Sequence, residues 1–287
     1  MMTTRRLTIA AVTLIGLAAL SAVASAQDAS DWDAQPHSAA RLIAGAASKT
    51  PATPTLRAGL EIKLDPGWHT YWRDPGDSGV PPTFDFSGSD NVKSATVLWP
   101  APQRFPDGAG GTSIGYVDRV ILPVQVAPQD TARQSLLRLK LGYAVCGNLC
   151  IPAEAKLQLA LNGKGAEDAA IEKAKIRVPR RVSLGPSTGP GNGLAILAVH
   201  RIAGTAHDHV VVDVAAPAGA SVDLFVEGPT PDWSLPQPEP KGGGDGDTRQ
   251  FTFDLDGLPS DAHAIGATLT FTVVSSDDAI EVPAHLD

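Results

Sequence analysis

Two runs of alternating residues, Ser135 to Val145 and Ile151 to Leu161, restrict this chain more than any other feature. In the first, Leu137, Leu139, Leu141, Tyr143 and Val145 share one face, with Arg138 and Lys140 on the other. In the second, Ile151, Ala155, Leu157, Leu159 and Leu161 oppose Glu154, Lys156 and Gln158. A period of two is that of a half-buried strand. Between the runs stand Cys146, Gly147, Asn148, Leu149 and Cys150, which include the only two cysteines of 287 residues. On a straight strand their α-carbons would lie roughly 13 Å apart, against the ~4.4 to 6.8 Å that a disulfide spans. The chain is therefore expected to fold back between them. Gly147 and Asn148, which tolerate positive φ, are the residues expected to make the turn.

A cysteine pair so closely spaced is a static bond or a redox centre. A disulfide that closes about five residues stabilises by only ~2 kcal/mol in the chain-entropy picture, against ~4 to 5 kcal/mol for a hundred-residue loop. A staple here would constrain little, and a chain of this size buries a core without one. A zinc site would need two further ligands, and no Cys or His pair stands at a matching spacing, so neither a metal nor another cofactor is expected. His207-Asp208-His209 reads as a solvated strand start rather than a metal site. The run from Lys241 to Asp247 lacks the spacing and terminal Glu of a calcium loop.

The N-terminus reads as a targeting segment. Arg5 and Arg6 precede an apolar run from Leu7 to Val23, and Ala24-Ser25-Ala26 has the small-x-small pattern of a cleavage site, so residues 1–26 are expected to be a signal peptide. Its removal takes away two arginines and no acids, which moves the formal charge from -8 to -10. Nucleic acid is an improbable partner for so acidic a chain. No later run reaches the ~18 apolar residues of a membrane span, so the mature chain is expected to be soluble. Both methionines fall within the signal, which argues against a methionine-based copper(I) carrier.

With 28 glycines and 24 prolines in the full sequence, all but Gly16 beyond the expected signal peptide, the mature chain suits two all-β domains better than one large one. Residues 27–178 are expected to form one antiparallel β-sandwich, 179–192 (PRRVSLGPSTGPGN) a linker, and 193–287 a second sandwich of six short strands. Strands are expected at Ser38 to Ala46, Leu56 to Leu64, Asn91 to Trp99 and Arg119 to Val126, and a short helix near Ala166 to Lys175. Trp68, Tyr71 and Trp72 fall within five residues and serve either as core packing at a strand end or as a surface beside the cysteines. Arg73 and Asp74 are expected to pair locally. Pro100 to Gly111 reads as a long loop, the kind that carries function.

Four stretches carry a family resemblance: GWHTYWRDPGDSGVPP, Leu98-Trp99-Pro100-Ala101-Pro102, Gly115-Tyr116 before a strand ending near Leu122-Pro123, and YAVCGNLCIP. Residues 32 to 162 resemble the amino-terminal periplasmic domain of the thiol:disulfide interchange protein DsbD, particularly its ScsB-type relatives. The second half resembles the β domain that follows in those relatives. The resemblance implies immunoglobulin-like sandwiches and a periplasmic location. It makes Cys146 and Cys150 a redox pair that takes electrons from a membrane donor of the DsbD/CcdA type, passes them to periplasmic thioredoxin-like proteins, and serves routes such as cytochrome c biogenesis. A cap loop covers the pair in that family; Gln103 to Gly115 occupies its place, with Phe105 or Tyr116 as the lid and Tyr71, Trp72 and Tyr143 as further cap or docking residues. Best-known members separate the cysteines by five residues, where three intervene here, as in the ScsB pattern. Members usually continue into a membrane domain and a thioredoxin domain, so this chain is expected to need a separate donor. The competing expectation is a non-redox protein-binding module whose disulfide merely closes a hairpin.

Overall fold

The computed structural model describes residues 28–48, 55–106, 111–186, 193–205, 207–242 and 247–287. The expected signal peptide lies outside them, as do residues 107–110 of the long loop and 187–192 of the expected linker. The first half builds β1 (Asp33–Gln35), β2 (Ser38–Ala47), β3 (Leu56–Leu64), β4 (His69–Gly76), β5 (Thr83–Asp85), β6 (Val92–Val97), β7 (Gln103–Pro106), β8 (Thr112–Val117), β9 (Arg119–Pro128), β10 (Ser135–Cys146), β11 (Cys150–Leu161) and α1 (Asp168–Ile176). The second half builds β12 (Arg180–Arg181), β13 (Ala195–Ile202), β14 (His209–Ala215), β15 (Val222–Glu227), β16 (Glu239–Lys241), β17 (Thr248–Asp254), β18 (Thr268–Ser275) and β19 (Ala279–His285).

The fold is all-β, as the alternation requires. One sheet of the first sandwich runs β1-β2-β3-β9-β6 and the other β11-β10-β4-β8-β7, with β5 paired to β10. Between them lie Leu42, Leu60, Ile62, Leu122, Val124 and the even-spaced leucines of β10 and β11. The second sandwich packs β12-β19-β18-β15 over β13-β14-β17-β16 around Val212, Phe251, Phe271 and Val282. Every strand pairing is antiparallel except β12 with β19, so Arg180 and Arg181, inside the expected linker, join the second half's sheet. The helix lies over the outer face of β2 and β3, where Gly45 and Gly59 leave room for the buried Ile171.

Two local expectations are corrected. The stretch from Pro100 to Gly111 is not simply a loop: Gln103–Pro106 forms the edge strand β7 against β8, since Gln103, Arg104 and Phe105 meet Gly115, Ile114 and Ser113 in register. Arg73 does not pair with Asp74. Its guanidinium forks onto Glu227 (2.8 and 2.7 Å) and reaches Glu281 (2.6 Å), both in the second half.

That ion pair marks a contact between the sandwiches. Leu224 and Val226 of β15 point into the second core, so the intervening Phe225 points out of it, and it packs at 5.8 Å on Trp72 of the first. Trp72 is 0% and Phe225 1% exposed, so their rings join the two cores. Beside them Asp74 accepts a hydrogen bond from the amide of Gly76 (3.1 Å) and one from Gln237 (3.4 Å). Burial, reinforced by the charge of Glu227, pushes its carboxyl up to about 6. The folded protein therefore favours protonated Asp74. Its stabilising effect is complete below the unfolded value of about 4 and is lost as pH rises through about 6. Partial exposure to water limits the effect to about 1–2 kcal/mol. Asp74→Asn is expected to flatten this part of the stability profile, measured as urea midpoints at a series of pH values; an unchanged slope would remove Asp74 from the interface's electrostatics.

Candidate functional site

The register of four strands sets the site. Cys146 pairs with Cys150 across the β10–β11 hairpin, His69 of β4 pairs with Cys146, and Val117 of β8 pairs with His69. Directly opposed residues share a face, so these four side chains form one row across the sheet. Cys146 and Cys150 are disulfide-bonded with α-carbons 4.1 Å apart. Cys146 is 1% exposed, whereas Cys150 lies at the surface next to Leu149, which is 60% exposed.

The turn does not use the device expected of it. Neither Gly147 nor Asn148 adopts positive φ. A Cβ on Gly147 would instead meet the Trp68 indole at 3.2 Å, so the glycine is required by close approach of that ring. Trp68 in turn stacks on His37 at 3.8 Å, and His37 bonds Asp65 at 3.0 Å. The turn is thus supported from the chain segment that enters β4.

Alternation along β4 divides the aromatic cluster. Tyr71 shares the disulfide's face; its hydroxyl donates to Cys146 Sγ at 2.8 Å and lies 3.3 Å from Cys150 Sγ. At 2% exposure it touches sulfur instead of presenting a face to a partner. Trp72, on the opposite face, belongs to the contact with Phe225. Thr70, also on that face, donates to the Ala144 carbonyl at 2.8 Å and fastens β4 to β10 just before the cysteine. Gly115 of β8 faces Tyr71, and any Cβ there would strike the Thr70 carbonyl at 2.0 Å.

The remaining expected residues fall on both sides of the sheet. Phe105 is on the disulfide's face, its ring 4.4 Å from that of His69. Tyr116 is not a lid: it is 7% exposed on the inner face, donates to the Pro100 carbonyl at 2.8 Å, and burial holds its hydroxyl well above the usual range. Tyr143 is also internal, at 3% exposure, with its hydroxyl 2.9 Å from Ser38 Oγ; burial raises it too. Of the aromatic candidates, the fold brings Tyr71 to the disulfide and Phe105 to the neighbouring His69, and takes Trp72, Tyr116 and Tyr143 to the other face.

One site residue went unread in the sequence. His69 stands edge-on to Tyr71 at 5.5 Å and against Phe105, and its buried Nε2 has no hydrogen-bond partner among the described residues. Burial lowers its pKa, which keeps the ring neutral. The signal was available: His69 is two residues from Tyr71 on a strand, and must share its face.

Residues 40–162 match the family model for the thiol:disulfide interchange protein DsbD, N-terminal. The crystal structure of the N-terminal periplasmic domain of ScsB from Proteus mirabilis superposes with a TM-score of 0.68 at 24% identity, covering 90% of this chain and 98% of that one. No curated protein sequence matches the chain.

The chemistry open to the site follows from Tyr71. A hydroxyl bonded to Cys146 stabilises its thiolate once the disulfide opens, and hydrogen bonds to charged groups contribute about 1.5–3 kcal/mol. In reduced protein, Tyr71→Phe is expected to raise the Cys146 thiol pKa by about 1–2 units, read by thiolate ultraviolet absorbance against pH. An unmoved titration would show that the hydroxyl only fills space.

Proposed function

We propose, on the premise that residues 40–162 are a domain of the DsbD N-terminal family, that this chain is a periplasmic thiol–disulfide carrier acting through Cys146 and Cys150. The observation that carries the reading is asymmetry: an exposed Cys150, a buried Cys146, and a tyrosine hydroxyl within reach of both sulfurs. A staple needs none of these.

The reaction is a two-step exchange. A partner thiolate attacks Cys150 Sγ and forms a mixed disulfide, while the electron pair of the broken bond leaves on Cys146 Sγ, where the Tyr71 hydroxyl donates to it. The partner's second thiolate then attacks its own bridging sulfur and releases Cys150. The partner ends as a disulfide and this chain as two thiols, which take up the two protons that the partner's thiols release. The same steps in reverse pass the electrons on. The donor is a membrane protein of the DsbD/CcdA type, and the acceptors are periplasmic thioredoxin-like proteins. The family's description supports thiol–disulfide exchange with redox partners in general, and the periplasmic domain that the fold resembles supports the compartment.

Phe105 is the cover of the Cys146 side of the pair, since its ring lies on His69, which pairs with Cys146, and a partner must displace it. Residues 27–178 and 193–287 act as separate domains, a division supported by their two hydrophobic cores.

Cys146→Ser removes the resolving thiol and leaves the attacked one. It is expected to accumulate a mixed disulfide through Cys150 in periplasmic extract, seen as a reductant-sensitive band on non-reducing gels, whereas Cys150→Ser accumulates none. Trapping with Cys150→Ser alone reverses the roles. Trapping with neither, together with a bond that resists physiological reductants, leaves the non-redox binding module as the better reading.

A further inference from the structure

Strand β7 holds two consecutive side chains that point opposite ways. Phe105 faces the disulfide's side of the sheet, and Arg104, pairing in register with the core residue Ile114, faces the other. On that other side lies the second sandwich. The Arg104 guanidinium donates to both carboxylate oxygens of Asp223 (3.2 and 3.1 Å), to the carbonyls of Leu224 (3.0 Å) and Pro238 (3.1 Å), and to Glu239 (3.2 Å). It also lies 5.4 Å from the Phe225 ring centre. A single residue of the first sandwich thus meets two carboxylates, two carbonyls and an aromatic face of the second, in the forked geometry for which arginine is suited.

The strand so gripped has little else to hold it. It is four residues long, lies at the sheet's edge, and pairs only with β8. Short edge strands with a single partner belong to the least stable parts of a fold. Displacement of β7 from β8 carries Phe105 off His69 and breaks the Arg104 contacts on the reverse face.

We infer that the second sandwich restrains Phe105 through Arg104, so that it sets how often the buried Cys146 side of the bond, next to His69, opens to thiols. This rests on the reading of Phe105 as the cover. Arg104 is a positioning residue: it acts on the sulfurs only through the strand it shares with Phe105. The second sandwich thereby limits reduction by small thiols, and a protein partner gains access by loosening β7 or the carboxylates that hold it.

The test compares oxidised full-length variants in their rate of reduction by dithiothreitol and in amide hydrogen exchange of β7. Loss of a charge-assisted contact of this kind is expected to accelerate reduction by Arg104→Gln roughly tenfold, approaching Phe105→Ala, with faster exchange at residues 103–106. Asp223→Asn, which alters the clamp from the second sandwich and leaves the first intact, gives a smaller acceleration of the same sign and stands in if Arg104→Gln does not fold. Arg73→Gln, which weakens the contact between sandwiches without touching β7, stays within about twofold of the parent. An accelerated Phe105→Ala with unchanged Arg104→Gln and Asp223→Asn overturns the clamp and leaves the cover. An unchanged Phe105→Ala overturns the cover and the clamp with it. Equal acceleration by Arg73→Gln assigns the effect to domain contact in general and refutes the role of Arg104.

Discussion

The site depends on β4 being covered on both faces. Tyr71 is 2% and Trp72 0% exposed, and a strand sends neighbours to opposite sides, so burial of one ring at the disulfide and the other at Phe225 fixes the strand without freedom to rotate or slip. A slip of one residue would exchange them, placing an indole against sulfur and a phenol hydroxyl in an apolar interface with no partner. Thr70, which precedes Tyr71 and shares the face of Trp72, secures the same register. The tyrosine's grip on both sulfurs is therefore maintained by apolar packing on the far side of the sheet.

Much of this was legible in the sequence because the period of two is strong where both sheet faces differ. Leu56–Leu64 stands as expected, and the hairpin of β10 and β11 follows the alternation of its leucines. Alternation was less informative at β7: four residues, two of them Gln and Pro, have no apolar pattern to read, and their pairing comes from β8 and from the second sandwich. Arg73 illustrates another limit. Its acidic neighbour in sequence suggested a local pair, but its partners are 154 and 208 residues away, a distance that only the docking of two folded units closes.

The cysteine turn shows the same division. Glycine at position 147 was singled out for its tolerance of positive φ, yet the reason lies in a ring arriving from the segment before β4 and not in its own backbone angles. A side chain approaching across the sheet leaves no trace in a window of five residues. His69 could have been found, since strand parity alone groups it with Tyr71. Its orphaned nitrogen could not, because that depends on what Phe105 and the neighbouring strands exclude.

The direct opposition of Cys146 and Cys150 has one more consequence. The two stand at the closing rung of a ladder that runs unbroken to Ser135 and Leu161, and the other rungs do not involve sulfur. The register of the two strands is therefore held by the rest of the ladder and not by the bond between the sulfurs. On the carrier reading, the direction of electron movement follows the difference in potential between the exchanging pairs and not a remodelling of the hairpin.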